Sequence, residues 1–120
     1  MENNSPTPQQ IADEIRNGSK RRRALIEDAV TESGIRDLGY TPMLRSNDNS
    51  TVTYSSNTYE AAIRVYITKY NEVRAEVYTL LPQSLIKVTV SDISFPHSQL
   101  NTFIRQVEAI CNLWPYRGQI

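Results

Sequence analysis

The run Lys20-Arg21-Arg22-Arg23 is the densest concentration of charge in the chain, and the first place where residue type and spacing suggest a chemistry. Four consecutive cations can grip phosphate oxygens or an acidic protein surface. With Ser19 as a helix cap, the run would fill the first turn of a helix and oppose the partial positive charge there, at a cost of roughly 0.3 to 1 kcal/mol for each exposed cation. A costly position invites a functional reason. The plainer alternative is a solvated cluster neutralised by Asp13, Glu14, Glu27 and Asp28, which are close along the chain.

A second set of basic and aromatic residues recurs at alternate positions of extended segments: Arg64, Tyr66, Arg74, Tyr78 and Lys87, with Glu76 and Thr89 among them. On one face of a sheet, such a mixture could stack single-stranded bases. The paired aromatics in a glycine-rich motif that mark the usual RNA-binding sheet do not occur. A face left to solvent, or covered by helices or by a second copy of the protein, is therefore favoured. The tail from Trp114 to Ile120 adds Tyr116 and Arg117, residue types enriched in binding hot spots, while Trp114 is assigned to the core.

Catalytic chemistry has little to stand on. A thiolate nucleophile needs an adjacent imidazole, and the chain has one cysteine, Cys111, and one histidine, His97. Cys111 falls on an apolar helical stripe between Ile104 and Trp114, a place for inert packing, and His97 follows Pro96 at the start of that helix, where it serves the cap. No two carboxylates are placed for general acid and base work. The four glycines, Gly18, Gly34, Gly39 and Gly118, build no phosphate-cradling loop. One Cys and one His also exclude the usual four-ligand zinc sites. The expectation is a protein that is not an enzyme, with no cofactor and no metal.

The whole chain bounds these readings. Its 120 residues suit one domain, taken as 7–120 behind a disordered lead-in at 1–6. With 13 basic against 13 acidic residues no global field draws it to nucleic acid or an anionic membrane, and 39% hydrophobic content lies outside the disordered range. A single cysteine excludes an intramolecular disulfide and suits a reducing compartment. Met1 to Pro6 has no apolar signal segment and no run approaches the ~18 apolar residues of a membrane span, so a cytoplasmic protein without membrane contact is expected.

The elements that must position these residues follow from periodicity. Thr7, Pro8 and Gln10 form a capping box with proline at the first helical position, opening a helix with Ile11, Ala12 and Ile15 that Gly18 ends. Ser19 caps a second helix, with Leu25, Ile26, Ala29 and Val30 on one side and Gly34 as its stop. One continuous helix is disfavoured because it would place Arg22 on the apolar stripe. After a connector, Ile35 to Tyr40, short strands at Thr41–Arg45 and Thr51–Ser56 flank the turn Ser46 to Ser50.

Three strongly alternating segments come next, from Glu60 to Ile93. Ala61, Ile63, Val65 and Ile67 face one way in the first, Val73, Ala75, Val77 and Leu81 in the second, and Ile86, Val88 and Val90 in the third. Core residues must meet core residues across the first hairpin, which requires an odd-numbered loop. Lys69-Tyr70-Asn71 fits, with Asn71 left-handed. This register sets Ile67 opposite Val73, Val65 opposite Ala75, Ile63 opposite Val77, Tyr66 opposite Arg74 and Arg64 opposite Glu76. The second hairpin switches parity and takes a four-residue loop around Pro82-Gln83-Ser84. Leu100, Phe103, Ile104, Val107, Ile110, Cys111 and Trp114 then mark a long helix that Pro115 ends, and the apolar sheet face is the surface able to receive it.

The fold class is thus α+β: two N-terminal helices, a four- to five-stranded antiparallel meander, and a long C-terminal helix on one sheet face. This element order resembles small secretion chaperones and related dimeric adaptors in architecture, with no motif behind it, so no residue role is carried over. The preferred function is a protein-binding module (adaptor, chaperone-like or inhibitor-like) for an unidentified protein partner, able to form a homodimer. The alternative is a nucleic-acid binder using Lys20 to Arg23 and the sheet tyrosines and arginines. A continuous basic face joining that run to Arg64, Arg74 and Lys87 would favour nucleic acid, and carboxylates breaking up that face would count against it.

Overall fold

A computed structural model of the chain describes residues 5–79 and 93–112. It shows a long helix α1 (Pro8–Ser33), a short 3-10 turn (Ile35–Leu38), strands β1 (Tyr40–Arg45), β2 (Thr51–Ser56), β3 (Ala61–Ile67), β4 (Val73–Thr79) and β5 (Ile93–Ser94), and helix α2 (Leu100–Asn112). The class is α+β, with one helix before the sheet rather than two.

The single α1 corrects the two-helix expectation, and the reason lies at Ser19 and Arg22. The Ser19 hydroxyl and carbonyl do not cap a helix; they accept hydrogen bonds from Asn49 Nδ2 at 2.7 and 3.3 Å, tying the middle of α1 to the β1–β2 loop. Arg22 does lie on the apolar stripe, but its Nε donates to the Asp48 carbonyl at 2.8 Å, so its polar end is satisfied there. Nothing remains to break the helix, and Gly18 is carried inside it at the usual propensity cost of about 1 kcal/mol relative to Ala. The start and stop are those the residues dictate. Thr7 and Gln10 form a reciprocal capping box, Pro8 opens the helix, and Gly34 ends it in the left-handed conformation at φ 73°.

The five strands pair antiparallel in sequence order, β1-β2-β3-β4-β5. The β3–β4 register matches the expected pairs residue for residue, from Ile67 opposite Val73 to Ile63 opposite Val77, and Asn71 in the connecting loop has φ 62°. A bulge interrupts β1 between Pro42 and Leu44. The third alternating segment, Ile86 to Ser91, its Pro82 loop and the residues from Leu113 onward lie outside the described residues.

One core unites both helices with one sheet face. Ile26, Ala29 and Val30 of α1 and Leu100, Ile104, Val107 and Cys111 of α2 cluster with Val52, Tyr54, Ile63, Val65, Ala75 and Val77. Burying these side chains contributes about 25 cal/mol per Å² of apolar surface removed from water, and it is this burial that holds the two helices to the sheet. Both helices therefore occupy the same side, and Arg64, Tyr66, Arg74, Glu76 and Tyr78 lie on the other.

Candidate functional site

The N-terminal half of α1 runs past the β1–β2 loop that anchors its middle. From Pro8 to Asn17 every residue is exposed except Asp13, which is partly so. This segment continues the helical stripe buried further along at Ile26, Ala29 and Val30, yet its own apolar members remain open to solvent, Ile11 at 44% and Ile15 at 64% exposure. Isolated exposed isoleucines are ordinary. Two on consecutive turns, on the extension of a core-facing stripe, make an unpartnered helix face.

The basic run sits here, and the structure corrects its electrostatics. Lys20 lies twelve residues beyond Pro8, three turns into α1, so the run does not occupy a helix N-terminus and meets no opposing dipole there. Two of the four expected neutralising carboxylates are engaged elsewhere. Asp13 pairs with Arg16 at 3.3 Å, and Glu27 holds Arg36 and, at 3.3 Å, Arg45. Lys20, Arg21 and Arg23 are exposed without an ion pair among the described residues, whereas Arg22 is spent on the Asp48 carbonyl.

Arg64, Tyr66, Arg74 and Tyr78 do share one face, the side of the sheet away from both helices. That face is charge-paired. Arg64 Nη2 donates to Glu76 at 2.6 Å and its guanidinium lies 5.2 Å from the Tyr66 ring centroid, while Arg74 is 3.7 Å from Glu72. Because α1 packs against the opposite side, Lys20 to Arg23 and these arginines do not form a continuous basic surface. Lys87, Tyr116 and Arg117 lie outside the described residues.

The residues missed by sequence reasoning are polar groups within the helix-facing layer. Glu27 bridges α1 to Arg36 and to Arg45 of β1. Burial alone would raise the Glu27 carboxyl, but the hydrogen bonds and charges of the two guanidinium groups outweigh it and hold the carboxyl below its ordinary value. Beside them the Tyr54 hydroxyl and Arg45 Nη1 are buried without a hydrogen-bond partner among the described residues, and Arg36 stands 6.0 Å from the Tyr54 ring centroid. At the other end of the layer Tyr40 donates to Glu108. The signal available for Glu108 was its position four residues after Ile104 on the apolar stripe of α2.

Cys111 is buried on that stripe, 3.4 Å from the Glu60 carbonyl, and His97 Nδ1 accepts from the Gln99 amide at 3.0 Å, three residues ahead of α2. The cleft between the end of α1 and the start of α2 is lined by Glu32, Ser33, His97 and Asn101. Among the described residues no group of three His, Cys, Asp or Glu side chains is placed to hold a metal ion, and no helix is long and apolar enough to cross a membrane. Comparison of the chain with protein-family models, curated proteins and solved structures finds no match.

Proposed function

We propose that the protein is a non-enzymatic protein-binding module, of adaptor, chaperone-like or inhibitor-like type, whose docking element is the first half of α1. The observation that carries this reading is the exposed pair Ile11 and Ile15 on the solvated extension of a stripe that is otherwise core. An amphipathic helix with open i and i+4 apolar anchors is a recurring means of docking into a partner groove. The nucleic-acid alternative is disfavoured, because Glu76 and Glu72 break up the sheet face and the basic run lies on the other side of the sheet.

The test is cross-linking of the full chain in its native lysate, beside an Ile11→Asp/Ile15→Asp variant. Partners captured by the wild type and lost by the variant support the reading, and an unchanged set of partners removes it. Mixed-sequence oligonucleotides provide the second arm. Binding that falls steeply with salt and is lost on replacing Arg21 and Arg23 with Gln would instead support the nucleic-acid reading.

A further inference from the structure

Two polar atoms in the layer between α1 and the sheet have nothing to bond to. Tyr54 on β2 is fully buried, and its hydroxyl has no hydrogen-bond partner among the described residues. Arg45 Nη1 on β1 is buried in the same condition, although Nη2 of that guanidinium holds Glu27 at 3.3 Å. Buried donors left without an acceptor are rare and destabilising, because they have given up water and gained nothing in its place. Burial also pushes the Tyr54 phenol up, and the Glu27 charge acts in the same direction, so its proton stays in place as a donor.

The charges around these atoms are unbalanced in the same sense. Arg36 and Arg45 both pair with Glu27, and no second carboxylate pairs with either among the described residues. Two guanidinium groups therefore share one negative charge. Arg36 also stands 6.0 Å from the Tyr54 ring centroid, so the phenol and both cations belong to one cluster.

We infer that this cluster binds one small oxyanion, held by Tyr54, Arg45 and Arg36 where α1, the 3-10 turn and the first two strands meet. The missing hydrogen bonds and the missing charge call for the same thing, an acceptor that carries negative charge. A water molecule would meet the donors and leave the surplus cation. The paired N–H groups of a planar guanidinium match the spacing of oxyanion oxygens, which a halide lacks. Entry needs rotation of side chains only, since those of Arg36 and Arg45 are 42% and 27% exposed and form the solvent boundary of the layer. None of these residues belongs to the exposed half of α1, so the site stands apart from the docking element.

The experiment follows thermal unfolding of the full chain by circular dichroism while inorganic phosphate replaces sodium chloride at constant ionic strength. Wild type, Tyr54→Phe and Arg45→Gln are each read against their own phosphate-free midpoint. The wild-type midpoint is expected to rise and saturate, as binding to the folded state requires. Tyr54→Phe deletes one donor to a charged ligand and should weaken phosphate binding about tenfold, whereas Arg45→Gln should abolish the rise. Without phosphate, Tyr54→Phe should unfold no lower than the wild type, since it loses only a buried hydroxyl that had no partner. The phosphorus NMR line of the ion, recorded on folded protein, should broaden with the wild type and not with Arg45→Gln. A wild-type midpoint indifferent to phosphate overturns the inference. A rise of equal size in both variants also overturns it, because the anion then acts elsewhere, as on Lys20 to Arg23. Tyr54→Phe destabilised in phosphate-free buffer would show that the hydroxyl bonds within the chain, which removes the site.

Discussion

The Tyr40 hydroxyl on β1 donates a 2.9 Å hydrogen bond to Glu108 Oε2 on α2, joining residues 68 apart in sequence. Tyr40 is fully buried and Glu108 only 4% exposed. The glutamate also has Arg105 at 3.4 Å, one turn earlier on its own helix. A buried carboxylate is costly unless paired and hydrogen-bonded. Here it fixes α2 against β1, and burial, reinforced by the same bond, raises the Tyr40 phenol well above its ordinary range.

Removing that donor leaves the carboxylate short of a partner. Tyr40→Phe is expected to destabilise the fold by about 1 to 3 kcal/mol, more than a hydrogen bond between neutral groups is worth. A double-mutant cycle with Glu108→Gln, measured by urea unfolding, should show strong coupling between the two positions. Additive effects would mean that the two groups do not act as a pair.

The stripe on α2 separates into deep and shallow positions. Ile104 is fully buried, so Ile104→Ala should cost about 2 to 5 kcal/mol through lost transfer energy and a cavity. Phe103 is only half-buried, with its ring centroid 6.1 Å from that of His97, and Phe103→Ala should cost less. Equal losses in chemical denaturation would contradict this layering.

The difference between those two residues shows what the sequence made legible. Period-two alternation in β3 and β4 gave the exact pairing of Ile63 with Val77 and Arg64 with Glu76, because core parity admits few registers and the Asn71 turn selects among them. The continuity of α1 was not legible. Its stop signals at Gly18 and Ser19 are local, whereas the contacts that override them, from Asn49 and Asp48, come from 26 to 30 residues away. The Glu27, Arg36 and Arg45 bridge was hidden for the same reason, since its members belong to three elements. The stripe that contains Ile11 and Ile15 is legible in the sequence, but only the reach of α1 past its anchor shows that nothing described in the chain covers them.

The β1–β2 loop is expected to loosen in acid through Asp48. Its carboxyl accepts hydrogen bonds from the Ser50 hydroxyl at 2.7 Å, the Ser50 amide at 3.1 Å and the Ser46 hydroxyl at 2.9 Å, which hold it down to about 2 from an ordinary 3.8. A depressed folded value means that this contribution is fully present above pH 3.8 and is lost as pH falls through about 2. A carboxyl NMR titration should place Asp48 below the ordinary aspartate value of 3.8, and the Ser50 amide should lose exchange protection over the same interval. An Asp48 midpoint near its ordinary value would show that these bonds do not hold in solution.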